Sequence, residues 1–295
     1  MKAIHFIVNP IAGHGKSPLT QAFLEQFFVK SQHRLTVKIS AFKRHAIDLT
    51  LESIAEKADI IVACGGDGTI NEVASCLVGN SIPLGIVPMG SGNGLASNLR
   101  IPKNRRKALA IIKSQKYVKI DVGRINNRYF FSNMGIGFDA SVIKNYESSQ
   151  KRTLFGYVNA CLTSFRNMGE NRDMMVQVND TSRLVDPFII LVSNSNEMGY
   201  NLSLTPKASL QDGLLDVMII SKISRLKMLW LGVLILLRRV YWLKEANSFQ
   251  TKELWLSRSD IANFEPQIDG ELHKIDNGIL QISIQEKSLR ILVAE

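Results

Sequence analysis

The chain is 295 residues long and 45% hydrophobic, enough to bury a sizeable core and to form two domains. Its 36 lysines and arginines outnumber 26 acidic residues, and the net charge of +10 favours anionic partners: nucleic acid, a lipid surface or phosphorylated substrates. Three scattered cysteines, Cys64, Cys76 and Cys161, with no CxxC pair exclude a disulfide framework and fit a reducing cytoplasm, and five dispersed histidines without an HExxH pattern argue against zinc.

Taken in chain order, the first stretch, MKAIHFIVNP, holds only a strand's length of apolar residues before Asn9 and Pro10, too short for a secretory signal. AIHFIVN is a strand followed by the turn PIAGHGK. Ser17 and Pro18 then supply an N-cap and a first helical position for SPLTQAFLEQFFVK. RLTVKIS alternates as a strand does, HAIDLTLESIAEK is helical, and DIIVA is continuously apolar, as a buried parallel strand is. INEVASCLV reads as a helix beginning near Ile70, and IPLGIVP as the next strand. Strands alternating with helices predict a parallel sheet covered by helices over residues 1–125.

After Asn126 the texture changes to β-like runs with turn signals between them: RYFFSNMGIGF, MMVQVN, PFIILVS, LLDVMIIS, KELWLS and ILQISIQ. Helical patterns interrupt them at Phe155 to Phe165 and at Leu226 to Leu243. The expectation is a mainly antiparallel sandwich or barrel over residues 126–289. The longest apolar run, MLWLGVLILL, is ten residues, about half of the ~20 that span a bilayer. It reads as a buried or groove-lining helix; the alternative is an interfacial helix with Trp230, Tyr241 and Trp242 at headgroup depth.

Ligands of an open parallel sheet sit where its strands end and loops begin. Each early strand here ends in a polar, glycine-bearing loop: NPIAGHGK, GGDGT and PMGSGN. Glycines let main-chain amides converge on phosphate oxygens, and the helix that follows GGDGT adds its positive end. An ordinary strand-to-helix turn needs one or two glycines, whereas Gly65, Gly66, Asp67, Gly68 and Thr69 form an unbroken run of small or polar residues. Asp67 suits a metal-linked or hydroxyl-linked role beside phosphates. GHGKS is too short for a Walker A loop. A lone DGE between β-like runs, as at Asp269 to Glu271, reads by itself as a solvated hairpin turn.

NPIAG (Asn9 to Gly13), GGDGTINEV (Gly65 to Val73), GSGNGLA (Gly90 to Ala96), QDGLLDV (Gln211 to Val217) and DGE occur in the order found in the diacylglycerol kinase and sphingosine kinase superfamily. Over essentially its whole length the chain resembles a bacterial-type lipid kinase of that superfamily. GGDGT alone is shared with NAD kinases; the added motifs make the match specific. The resemblance implies an α/β, Rossmann-like (NAD-kinase-like) N-terminal domain plus a mainly antiparallel β-sandwich C-terminal domain, with ATP and lipid bound in the cleft between them. It also implies that about residues 290–295 return to the first domain. On the same ground Asn9, Pro10, Gly13, Ser40, Gly65, Gly66, Asp67, Gly68, Thr69, Asn71, Ser91, Gly92 and Asn93 contact the nucleotide. Glu271 matches the proton acceptor with Asp269 beside it, and Asp67 has a positioning or shared catalytic role. Asp212, with main-chain carbonyls near Ser209 and Leu214, matches a structural magnesium site.

GIGFDASV resembles a segment near the lipid headgroup, where Asp139 hydrogen-bonds the acceptor; as a helix cap it has an equal claim. Lys151 and Arg152 follow, either as a phosphate contact or as a solvated basic pair. Many bacterial diacylglycerol kinases read GTGND where this chain has Gly90, Ser91, Gly92, Asn93 and Gly94, so the acceptor stays open among diacylglycerol-like, long-chain-base and ceramide-like lipid alcohols. The cations Lys103, Arg105, Arg106, Lys107 and Lys113 mark a solvated helix face or a contact with anionic lipid. No nucleic-acid motif accompanies the charge. The expected protein is therefore an ATP- and Mg²⁺-dependent lipid kinase, cytoplasmic and peripheral at the inner membrane face, with a homodimer left open. Two rivals remain: an NAD kinase, disfavoured because LTPKASLQDG stands where a TPTGSTAY-like segment is expected, and a non-catalytic nucleotide- or lipid-binding regulator, disfavoured by the four carboxylates Asp67, Asp212, Asp269 and Glu271.

Overall fold

The computed structural model describes residues 1–13, 19–90, 92–148, 154–166, 173–197, 203–258 and 263–294. The chain divides into two compact units, Met1–Val122 with Glu286–Glu295, and Gly123–Gln285.

The first unit runs β1 (Lys2–Val8), α1 (Gln21–Leu24), β2 (His33–Ile39), α2 (His45–Ala55), β3 (Ile60–Gly65), α3 (Asp67–Leu77), β4 (Leu84–Pro88), α4 (Gly94–Asn98) and α5 (Arg105–Ser114). Its strands pair in parallel in the order β2-β1-β3-β4, and the chain's last strand adds Ile291 beside Leu84. β3 and β4 are buried along their whole length, which is why they read as unbroken apolar runs. The helix expected across SPLTQAFLEQFFVK is only the four residues of α1, capped by the Thr20 hydroxyl, with Ser17 and Pro18 outside the described residues. Beyond it the chain turns so that Phe28 lies edge-on to Phe6 of β1, a packing gain that overrides local helix propensity. α3 starts at Asp67, three residues before the expected Ile70, with Gly66 as its extended N-cap.

β5 (Tyr117–Ile125) leads into the second unit. There follow β6 (Arg128–Phe130), β7 (Asn133–Gly137), α6 (Phe138–Ser148), α7 (Leu154–Arg166), β8 (Met174–Val178), β9 (Thr181–Val185), β10 (Pro187–Ser193), β11 (Leu215–Ser221) and α8 (Arg225–Leu236). β12 (Ala246–Thr251), β13 (Glu253–Arg258), β14 (Gln267–Ile268), β15 (Glu271–Leu272) and β16 (Ile279–Leu292) complete it, the last residues of β16 belonging to the first unit. One antiparallel sheet has the order β12-β11-β10-β7-β14-β15; the other pairs β16, β13, β8 and β9. Side chains of both sheets, among them Ile190, Val217, Val176, Leu254 and Leu280, share one core, so this unit is an antiparallel β-sandwich.

β10 and β11 read as continuous apolar runs although they are antiparallel, because both faces are covered. Ile190, Val192, Val217 and Ile219 point into the sandwich, while Ile189, Leu191, Met218 and Ile220 pack against α8 through Met228, Leu231 and Leu234. The helix expected over Leu226 to Leu243 stops at Leu236. Arg238 turns left-handed at φ 54°, its N–H donating to Ile235 and that of Arg239 to Leu234, and a short 3₁₀ turn at Val240–Trp242 follows. Among the described residues no helix is long and apolar enough to cross a membrane.

Candidate active-site residues

In the first unit the chain leaves β1 on one side for β2, and reaches β3 on the other, so the order of strands reverses at β1. Such a reversal opens a crevice at the carboxyl ends of the strands. Three loops converge there. Asn9, at the end of β1, donates from Nδ2 to the Thr69 hydroxyl at 3.0 Å, while its Oδ1 accepts the Ile11 N–H at 3.1 Å and so shapes the turn containing Pro10 and Gly13. Asp67, at the start of α3, accepts the N–H of Asn93 at 2.7 Å through Oδ2 and that of Gly94 at 2.8 Å through Oδ1. Asn93 in turn closes its own loop on Gly90, with its side chain accepting at 2.9 Å and donating at 2.6 Å.

The glycines are there because the loops touch. A Cβ on Gly90 would come within 2.7 Å of the Gly66 Cα, and one on Gly65 within 2.5 Å of the Thr69 Cβ. The first-turn amides of α3, including those of Gly68 and Thr69, have no carbonyl of their own helix to bond, and with the helix dipole they favour an anion. Ser40 is buried at the end of β2, with both its N–H and its hydroxyl directed to the Val8 carbonyl. Asn71 lies one turn into α3 and accepts from the Ser75 hydroxyl, and Gly92 lies beside Asp67. Ser91 falls outside the described residues, as do Lys151 and Arg152. Burial pushes the Asp67 carboxyl above its usual range, against the two amides that it accepts. With each oxygen accepting a main-chain N–H group, Asp67 fixes the loop after β4 to the loop after β3.

In the second unit the DGE sequence is a hairpin turn: Asp269 and Gly270 have φ of 48° and 82° between β14 and β15, the geometry of a type I′ turn. It is also more than a turn. The Asp269 carboxylate accepts the N–H groups of Phe131 at 2.9 Å, Ser132 at 2.8 Å and Asn133 at 3.2 Å, which docks the hairpin on the start of β7. Glu271, the next residue after the turn, is half-buried on β15. Gln267 sits on β14 opposite Gly135 and donates from Nε2 to Asn133 Oδ1 and to Asp139 Oδ2, each at 2.8 Å, while its Oε1 accepts the Gly270 N–H at 2.9 Å. Asp139, buried in the first turn of α6, is thereby linked through one side chain to the turn that carries Glu271.

Asp212 lies in the turn before β11. Its Oδ1 accepts the Leu214 N–H at 3.1 Å, and Gln250 donates to both Asp212 Oδ2 and Asp216 Oδ2. The Ser209 hydroxyl accepts the Gln211 N–H in the same turn. Burial and the neighbouring Asp212 raise the Asp216 carboxyl. Among the described residues there is no group of three or more histidine, cysteine, aspartate or glutamate side chains able to hold a metal. The side chains gathered here, the carboxylates of Asp212 and Asp216, are hard oxygen donors, which fit Mg²⁺ or Ca²⁺ and not zinc.

Residues 3–125 match the model of the diacylglycerol kinase catalytic domain, and residues 132–288 match that of the YegS C-terminal NAD kinase beta sandwich-like domain. The chain belongs to the diacylglycerol kinase family. It is 29% identical over 227 residues to the diacylglycerol kinase of Bacillus subtilis, covering 75% of each chain. To that of Staphylococcus haemolyticus it is 27% identical, over 92% of this chain and 82% of the other. A YegS-like lipid kinase of Pectobacterium atrosepticum is 31% identical, with 58% of this chain aligned to 59% of that one. A crystal structure assigned to a diacylglycerol kinase of Bacillus anthracis superposes with a TM-score of 0.80 at 21% identity, over 99% of this chain and 95% of the other, and shares the fold.

Within this family member, sequence reasoning missed Gln267 and Asn133. Asp139 is read from sequence as either a substrate contact or a helix cap; in the structure burial raises its carboxyl to about 6, although Gln267 donates to it. A carboxyl raised from 3.8 to about 6 stabilises the fold fully below about pH 4, and that contribution is lost as pH rises through about 6. Relative to Asp139→Asn, the parent protein is expected to lose urea resistance between about pH 4 and 6 and to show a constant difference above about pH 7. A constant difference across that whole range would remove the raised carboxyl.

Proposed function

We propose that the chain is an ATP-dependent lipid kinase, which transfers the γ-phosphoryl group of ATP to the hydroxyl of a lipid alcohol. The observation that carries the reading is the cradle of the first unit: three glycine-bearing loops locked together by Asn9, Asp67 and Asn93 at the strand-order reversal, with the first-turn amides of α3 among them. This is the main-chain chemistry that holds a polyphosphate. Membership of a kinase family and the names of its relatives, diacylglycerol kinase and lipid kinase, support a lipid acceptor.

In this reading Asn9, Pro10, Gly13, Ser40, Gly65, Gly66, Gly68, Thr69, Asn71, Ser91, Gly92 and Asn93 form the nucleotide site, and Asp67 acts by positioning its loops. Glu271 accepts the proton of the attacking hydroxyl, since Asp269 spends its oxygens on three main-chain amides. Gln267 positions Asp139, which hydrogen-bonds the acceptor's headgroup. Mg²⁺ bound with the nucleotide would supply charge neutralisation for its phosphates. Asp212, with Asp216 and the carbonyls of Ser209 and Leu214, would hold a second, structural ion. The first unit is the nucleotide-binding domain and the second the lipid-kinase domain, and the enzyme works in the cytoplasm at the inner membrane face.

The test is ADP release with Mg²⁺ and ATP in the presence of micelles that contain diacylglycerol, a long-chain base or ceramide. Release that one lipid stimulates supports the reading. Measurable ATP binding with no stimulation by any lipid alcohol would refute it.

A further inference from the structure

α8 is apolar on two faces, and only one of them is used. Met228, Leu231 and Leu234 are buried against the sandwich, whereas Leu226, Leu229, Trp230, Val233, Leu236 and Leu237 form a stripe on the opposite side, from 44% exposed at Val233 to 80% at Leu226. The 3₁₀ turn that follows extends it with Tyr241 and Trp242, each more than half exposed. Isolated exposed leucines need no explanation, but a contiguous stripe of eight large apolar side chains marks an interaction surface.

Charge identifies the partner. From Lys222 to Lys244 the chain carries six cations, Lys222, Arg225, Lys227, Arg238, Arg239 and Lys244, and no acidic residue; Lys227 is paired with Glu245 and Lys222 with Asp186 at 3.9 Å, so the net positive charge of the face rests on Arg225, Arg238, Arg239 and Lys244. They stand at the two ends of the apolar stripe. Arg239 lies over the rings of Tyr241 and Trp242 and donates to the Tyr241 hydroxyl, which groups cation and aromatics at one edge. Two-fold pairing of this face with a second copy would bring the same cations against one another. A helix of 12 residues is about 18 Å long, too short to span a bilayer core of about 30 Å, so an occupant would receive it lying flat. Apolar side chains at the centre, tryptophan and tyrosine at the edge and cations at the ends are the pattern of a helix seated in the interface of an anionic bilayer.

We propose that the outer face of α8, with Tyr241 and Trp242, docks the protein on an anionic lipid surface. The inference deepens the lipid-kinase reading by naming the surface on which its acceptor is met, and its test is independent of turnover.

Full-length protein is spun down with vesicles of phosphatidylcholine alone and of phosphatidylcholine mixed equally with phosphatidylglycerol. Binding is expected to the mixed vesicles, to weaken with added salt, and to fall at least about tenfold in the triple variant Leu226→Ser, Leu229→Ser, Leu236→Ser and severalfold in Arg225→Gln, Arg239→Gln. These positions are exposed, and circular dichroism checks that the variants stay folded. In a Trp255→Phe protein the remaining tryptophans, Trp230 and Trp242, are expected to shift their emission to the blue on mixed vesicles. Equal binding by parent and triple variant, no binding by the parent, or a dimer that the triple variant splits would each overturn the proposal, the last by giving the face to a second copy. Intact vesicle binding with no phosphorylation of any dispersed lipid alcohol, whether short-chain diacylglycerol, long-chain base or ceramide, would instead remove the kinase reading and leave the docking face standing.

Discussion

Glu271→Gln is expected to lower kcat for lipid phosphorylation by roughly 10² to 10⁴, the range that a positioned general base supplies, while ATP affinity stays within about twofold of the parent. The substitution keeps the shape of the side chain and removes its ability to take up a proton. That task is assigned to Glu271, the second carboxylate of the DGE turn. Asp269 accepts three main-chain amides and Asp67 accepts two, so both already serve to hold their loops together. Isothermal titration with a non-hydrolysable ATP analogue, beside steady-state rates, separates the two effects. Unchanged turnover would exclude Glu271 as the base.

Asp269→Ala is expected to act mainly through stability. It strands the N–H groups of Phe131, Ser132 and Asn133 in a buried segment and places alanine at a left-handed φ of 48°. Together these cost about 3 kcal/mol, a fall in Tm of roughly 6–12 °C for a unit of this size. Activity is expected to fall as well, because the turn that carries Glu271 is no longer docked on β7. Asp269→Asn, which tolerates the turn geometry and keeps one carbonyl acceptor, is expected to recover about half of the lost stability. A scanning calorimetry trace for Asp269→Ala that matches the parent would show that the anchor is dispensable.

These two residues show how much the amino-acid sequence discloses. The loops of the first unit are legible because their close approach forces glycine: Gly65 faces Thr69, and Gly90 faces Gly66, so composition alone marks the contacts. The parallel sheet is legible because β3 and β4 are covered on both faces. The DGE turn is legible as a hairpin, and it is one; that Asp269 also anchors residues 131–133 has no local signature, because its partners lie 136 to 138 positions away. Gln267 was missed for the same reason, with Asn133 and Asp139 at separations of 134 and 128. In α8 the sequence is apolar all round, and periodicity cannot tell which face meets the sandwich; only the packing of Met228, Leu231 and Leu234 leaves the other face open. Helix ends were the least legible. α1 yields to the packing of Phe28, and α8 stops where Arg238 turns left-handed, both decided by tertiary contacts and not by propensity.

The most direct test of the central claim is product identification. The protein is incubated with Mg²⁺ and γ-labelled ATP, and separately with diacylglycerol, monoacylglycerol, a long-chain base, ceramide and NAD. The account predicts label in one class of lipid alcohol, none in NAD, and loss of that label in Glu271→Gln. Label in NAD alone, or in none of the five while ATP still binds, would contradict it.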